Sequence, residues 1–212
     1  MLLLIDYGIG NIRSLEKAFQ AVGIEPVRSD DADAIRAAER LVLPGVGAFG
    51  ACADELRRRG LVEPIRDAVA SGTPLLGVCV GMQLLFDVSE ELGEHTGLGF
   101  LPGRVVRFDP QTAEGERPLK VPHMGWNTVT ATRSHPLLDG IADGAHFYFV
   151  HSFHAVAAEP TDVLGATTYG ECFPAIVQRD HLMGVQFHPE KSQEAGLRLL
   201  CNFADLSVPS LV

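Results

Sequence analysis

The sequence predicts an α/β fold: one three-layer domain around a central mixed, mostly parallel sheet. Three observations carry that prediction. The first ninety residues alternate short apolar runs with stretches of helical period, the pattern of βαβ units. Glycine-rich turns fall where the apolar runs stop. The second half is a succession of short segments rich in Val, Phe, Thr and Tyr, joined by tight turns.

Taken in order, Met1 to Ile5 reads as a buried first strand. It leads into the turn Tyr7-Gly8-Ile9-Gly10. Asn11 is placed to cap a helix whose apolar face is Ile12, Leu15, Phe19 and Val22, with Gly23 as its stop. Strands are expected near Pro26–Arg28 and Arg40–Leu43, with an acidic helix from Asp31 to Glu39 between them. Further helices are expected over 48–59 and 62–70. A strand at Leu75–Val78 then turns at Cys79 into a helix that begins Met82-Gln83-Leu84-Leu85-Phe86. Beyond it, strands are expected at 103–108, 119–130, 145–158, 163–169, 173–178 and 182–187, with a last helix near 193–204. Only Asp109 to Pro118 reads as a polar loop.

Composition narrows the function. The 212 residues carry a formal charge of −10, with 46% apolar and 21% charged residues. That balance suits a soluble globular chain and argues against nucleic acid as a partner. No apolar run is long enough to span a membrane, and the apolar opening meets Asp6 too soon for an export signal. The cytoplasm is the expected setting. Cysteines at 52, 79, 172 and 201 form no C-x-x-C pair, which suits neither zinc nor a disulfide framework.

One cysteine stands in an unusual frame. In "GVCVGMQ", residues 77–83, Cys79 lies between two glycines, after a strand and before a helix. That is the form of a nucleophile elbow, a cramped turn that lifts a side chain above the sheet at a helix start. The N–H of Val80 is then free to meet a substrate oxygen. A base is supplied by "GVQFHPE", residues 184–190. His188 ends a strand, Pro189 keeps it extended, and Glu190 falls on the same side as His188. Together they form a Cys–His–Glu triad, in which the carboxylate fixes the tautomer of the base. The glycines of "LPGVGAFG", residues 43–50, let a backbone N–H approach a ligand, so Gly47 is a second candidate oxyanion donor.

Two other patterns carry no site. His151 and His154, three apart in an extended run, are expected on opposite faces, so no metal site is expected. Gly8-Ile9-Gly10 lacks the last glycine of a phosphate loop, since Arg13 stands there.

PGVG, GVCVGMQ and FHPE, in that order, resemble the class I glutamine amidotransferases. "IDYGIGNIRS" (5–14), "VPHMGWN" (121–127), "FYFVHSFHA" (147–155) and "GVQFHPEKS" (184–192) resemble one branch of it, the glutaminase subunits of imidazole glycerol phosphate synthase. The resemblance implies a flavodoxin-like domain over 1–206 and a short tail over 207–212. It implies that glutamine is hydrolysed to glutamate and ammonia, with no cofactor. It assigns Gly45, Gln83, Glu91, His151, Ser152 and Phe153 to holding glutamine. It implies a heterodimer with a (β/α)₈-barrel cyclase subunit that receives the ammonia, and Asn11, Trp126 and Tyr148 are candidates for its interface or gate. Val80 stands where leucine is commoner, and Phe153 where tyrosine often appears.

Two rivals share these motifs. One is the glutaminase subunit of another synthase, such as that making pyridoxal phosphate, against which 121–127 and 147–155 argue. The other is a free-standing γ-glutamyl hydrolase or cysteine peptidase on the same fold.

Overall fold

The computed structural model describes residues 1–111, 113–114 and 117–206. The expected tail over 207–212 lies outside them. Four parallel strands form the amino-terminal half: β1 (Leu2–Ile5), β2 (Val27–Ser29), β3 (Arg40–Leu43) and β4 (Leu75–Val78). Between them run α1 (Ile12–Ala21), α2 (Ala32–Arg36), α3 (Phe49–Arg58) and α4 (Val62–Ala70). β1 and β4 are buried along their whole length, as strands covered on both faces must be. The step from β1 to β2 runs opposite to the steps from β2 to β3 and β3 to β4. Right-handed crossovers therefore put α1 on one face and α2, α3 and α4 on the other. Those are the three layers.

Asp31 caps α2, its side chain accepting from Ala34 N at 2.8 Å. That helix is shorter than expected and ends at Arg36, because the chain must reach β3, where Glu39 N already bonds Met1 O at 3.0 Å.

A larger difference follows β4. The helix α5 spans only Val80–Gln83, and Phe86 opens the strand β5 (Phe86–Ser89). The carbonyls that would carry a helix onward are taken by a returning segment. Leu84 O accepts from Leu98 N, Leu85 O from Leu101 N and Phe86 O from Gly99 N. A helical pattern of apolar residues cannot reveal such a competitor.

The chain continues through β6 (His95–Thr96), β7 (Leu101–Arg107), β8 (Ala113–Glu114) and β9 (Arg117–Pro118). The polar loop thus contains a small hairpin. Then come β10 (His123–Ala131), β11 (Ala145–His151), β12 (Phe153–Ala157), β13 (Val163–Tyr169), β14 (Glu171–Arg179), β15 (Leu182–Val185) and α6 (Gln193–Asp205). The single strand expected over 145–158 is two strands that break at Ser152 and enter different sheets.

The main sheet has nine strands in the order β11-β10-β13-β14-β15-β4-β3-β1-β2. It is mixed, as expected. From β2 to β15 every pairing is parallel, and from β15 to β11 every pairing is antiparallel. "Mostly parallel" therefore describes only the five strands β2, β1, β3, β4 and β15. A second sheet, β12-β7-β5-β6, was not separated by the sequence pattern. Stacked Phe147 and Phe187, 4.0 Å between centroids and both buried, tie β11 to the end of β15. Burying one such ring contributes roughly 1.5–3 kcal/mol.

Candidate active site

Three neighbouring parallel strands, β3, β4 and β15, release their carboxyl ends side by side, where open α/β sheets bind ligands. β15 pairs with β4 so that Gly184 faces Gly77 and Val185 faces Val78. Cys79 and Gln186 consequently leave the sheet together, and Cys79 N donates to Val185 O at 2.8 Å. The site lies one to two strands beyond the point where strand order reverses, between β1 and β3.

Cys79 has φ 55° and ψ −112°, a conformation costly for any residue with a side chain. Met82 N and Gln83 N bond its carbonyl and hold it there. The flanking glycines follow from contacts. A Cβ on Gly81 would lie 1.9 Å from Leu43 O, and one on Gly77 would lie 2.5 Å from Gly81 O. The elbow is packed backbone to backbone against the end of β3, so no side chain fits.

His188 is extended, at φ −96° and ψ 99°, as its proline neighbour requires. Its Nδ1 lies 2.9 Å from Glu190 Oε1, with both side chains almost wholly buried. With Nδ1 engaged there, Nε2 is the ring nitrogen left to interact with Cys79. Burial works against a charged imidazole, but the bonds to Cys79 and Glu190 outweigh it and raise the His188 pKa to about 9. The backbone is fixed as well: His188 N donates to Tyr148 O at 2.9 Å, and Ser192 Oγ donates to His188 O at 2.6 Å.

These groups open on a cavity of about 320 Å³. Its wall includes Gly47, Cys79, Val80, Gln83, Glu91, His151, Ser152, Phe153 and His188. The structure therefore brings most of the expected residues to one place. Glu91 is anchored by accepting from Phe49 N at 2.6 Å, at the start of α3, where a carboxylate is favoured. Gln83 Nε2 donates to Phe153 O at 2.9 Å and to Gln186 Oε1 at 3.0 Å.

Gly45, Asn11, Trp126 and Tyr148 are not on that wall. Gly45 packs beneath the elbow, where a Cβ would meet Gly81 N at 2.6 Å, so its role is close packing rather than substrate contact. Asn11 begins α1 but makes no side-chain cap. Its Nδ2 reaches instead to Glu190 Oε1 at 3.3 Å, beside the triad. Trp126 and Tyr148 stack edge to face at 6.0 Å, with Lys191 Nζ 5.7 Å over the Tyr148 ring.

The loop after β3 is held from below. Tyr7 OH donates to Pro44 O at 2.8 Å and Cys52 Sγ to Val46 O at 3.5 Å. His151 and His154 do not point to opposite faces. The strand breaks between them, and both rings pack on Phe108, at 5.2 and 4.5 Å. His151 Nδ1 donates to Phe153 O at 2.8 Å, and its Nε2 accepts from His123 Nδ1 at 2.9 Å. Burial lowers the pKa of His151 to about 3 and of His123 to about 4. Among the described residues no three His, Cys, Asp or Glu are grouped to hold a metal ion. No described helix is long and apolar enough to cross a membrane.

Sequence reasoning missed Val46, Val150 and Lys191 on the wall. It also missed Gln186, although a signal was present. The alternation that set Glu190 beside His188 also sets Gln186 there, two residues earlier.

Residues 3–205 match the family model "Glutamine amidotransferase class-I". The imidazole glycerol phosphate synthase subunit HisH of Salinibacter ruber is 61% identical over 206 residues, covering 97% of this chain and 94% of that protein. The subunit HisH of Syntrophotalea carbinolica is 50% identical, covering 97% and 100%. Among solved structures, a glutamine amidotransferase superposes with a TM-score of 0.73 at 21% identity, covering 96% of this chain and 99% of that one. PurLQS from Thermotoga maritima gives 0.72 at 19%, covering 96% of each. The fold agrees with the latter two, and the sequence agrees with the former two from end to end. The chain belongs to the class-I glutamine amidotransferases, within the branch of imidazole glycerol phosphate synthase HisH subunits.

Proposed function

We propose that the chain is the glutaminase subunit of a cytoplasmic imidazole glycerol phosphate synthase, with residues 1–206 as its catalytic domain. The observation that carries the reading is the 2.9 Å bond from His188 to Glu190 beside a cysteine on a strained elbow. Cys79 Sγ attacks the carboxamide carbon of glutamine with the thiol proton already transferred to His188 Nε2, whose raised pKa keeps it there near neutral pH. Glu190 keeps Nδ1 protonated and the ring aligned. The N–H of Val80 and an N–H of the Gly45–Gly47 loop meet the oxyanion. As the tetrahedral adduct collapses, the C–N bond breaks, His188 returns the proton, and ammonia leaves. Water then hydrolyses the glutamyl thioester to glutamate, restoring Cys79.

Glu91, Gln83 and the backbone from His151 to Phe153 hold the amino-acid end of glutamine. Ammonia passes to a (β/α)₈-barrel cyclase subunit that docks beside Trp126 and Tyr148. The test is product formation by the reconstituted pair. Cys79→Ala should abolish the glutamine-dependent reaction and leave the reaction with added ammonium salt intact. Loss of both in a folded complex would refute the division of labour.

A further inference from the structure

The helix dipole invoked for a cysteine at an elbow is small here, because α5 is a single turn and sums few peptide dipoles. Burial raises the pKa of Tyr7 and of Cys52, two groups coupled to Cys79, so neither is charged near neutral pH, while Glu91 and Lys191 face Cys79 across the cavity. A different source of support lies behind the sulfur. Gln186 is fully buried, and its Nε2 lies 3.8 Å from Cys79 Sγ, a long but acceptable distance for sulfur.

The polarity of that contact is fixed from a distance. Phe153 O can only accept, so the Gln83 atom facing it at 2.9 Å is the NH₂ group. The second hydrogen of the same nitrogen points at Gln186, which must present its oxygen, at 3.0 Å. Gln186 is thereby oriented with its own NH₂ towards Cys79. A flipped Gln186 would set NH₂ against NH₂ and an oxygen against the sulfur. Gln83 donates both to the backbone carbonyl and to Gln186, and Gln186 in turn donates to the nucleophile.

We propose that Gln186 is a positioning residue for Cys79: its amide, locked by Gln83 and Phe153 O, donates to the sulfur and favours the thiolate. The assignment rests on Cys79 being the nucleophile of the proposed reaction. Gln186 touches no substrate and is absent from the cavity wall. Loss of its donors should therefore change turnover and not glutamine binding.

The test is the rate at which iodoacetamide alkylates Cys79 across a pH series, read by mass spectrometry on the full chain. Gln186→Leu removes both polar atoms. Gln186→Met keeps nearly the volume with neither an N–H donor nor a charge, and it serves if the leucine variant does not fold. Near neutral pH both variants should react about tenfold more slowly, the scale of one charge-assisted hydrogen bond. The deficit should close in alkaline solution, where the thiol ionises without help. Glutamine turnover should fall by a similar factor, with KM held within about twofold. Gln83→Leu should slow alkylation and also raise KM, because Gln83 lines the cavity.

A folded Gln186→Met that matches wild type at every pH overturns the assignment. So does slowing by the same factor at all pH values, which reports access rather than ionisation. Alkylation needs no glutamine. If wild type releases no glutamate, the proposed function fails while the alkylation series still decides the role of Gln186.

Discussion

Glu190 Oε1 accepts from both His188 Nδ1 and Asn11 Nδ2, so one oxygen anchors the base and ties it to the start of α1. The His188 pKa, raised to about 9, gives a pH dependence of definite sign. Its contribution to stability is complete below the unfolded value of 6.5 and is lost as pH rises through about 9. In the proposed mechanism protonated His188 also supplies the leaving ammonia with its proton. Glutamine turnover should therefore fall on an alkaline limb near pH 9. Glu190→Gln should move that limb to lower pH and reduce turnover less than His188→Ala does. An unmoved limb would remove the carboxylate charge from the account. His151 and His123 behave oppositely. Their folded values, about 3 and about 4, lie below 6.5, so stability is lost as pH falls from 6.5 towards those values. Between neutrality and pH 5 the loss should be about 1–2 kcal/mol for each. Urea midpoints at the two pH values measure it. His123→Phe, which keeps a ring against Phe149 and Tyr169, should flatten the difference, and an unchanged difference would exclude His123.

At the scale of the element, crowding at the elbow sorts the glycines. Gly81→Ala sets a Cβ against a backbone oxygen of β3 that cannot yield, and should cost more than about 3 kcal/mol. Gly184→Ala meets the Met82 and Val177 side chains, the closest being Met82 Cγ at 2.7 Å, and Met82 can turn aside. It should cost about 1–2 kcal/mol. Equal losses in urea denaturation would mean that crowding is not the cause. Elements bounded by their own turn residues and carrying one clear apolar pattern were legible in the sequence: β3, β4, α4 and α6 lie within a residue or two of expectation. The misreadings have one origin. α5 stops early because residues 98–101 claim its carbonyls, and the strand over 145–158 breaks because Phe108 N takes Ser152 O. Both partners are remote in sequence, and periodicity is blind to them.

Across the whole molecule, the antiparallel half of the sheet carries β10 and β11 outward and leaves Met124 and Trp126 exposed, at 62% and 46%. An exposed aromatic beside a cation and a second ring is a plausible anchor for a partner subunit. Trp126→Ala should weaken capture of the proposed cyclase partner about tenfold or more in calorimetry and leave alkylation of Cys79 unchanged. Undiminished capture would place the interface elsewhere. The site was legible to the same depth as the fold. The spacing around Cys79, His188 and Glu190 points to one cluster, and the fold brings those three side chains together. Tyr7, Cys52, Ser192 and Gln186 act through bonds that exist only once the chain has folded.

The pairing of β15 with β4 also bears on how the protein is made. Synthesis begins at the amino end, and Gln186 is added 107 residues after Cys79. While the growing chain lacks β15, Cys79 has no Val185 carbonyl to hold its backbone, no His188 to take its proton and no Gln186 amide behind it. A ribosome-bound or prematurely terminated chain thus carries the nucleophile without the means to use it. On the proposed mechanism, glutamine in the surrounding solution meets a competent thiol only when translation has passed Glu190 and the final strand has slid into register.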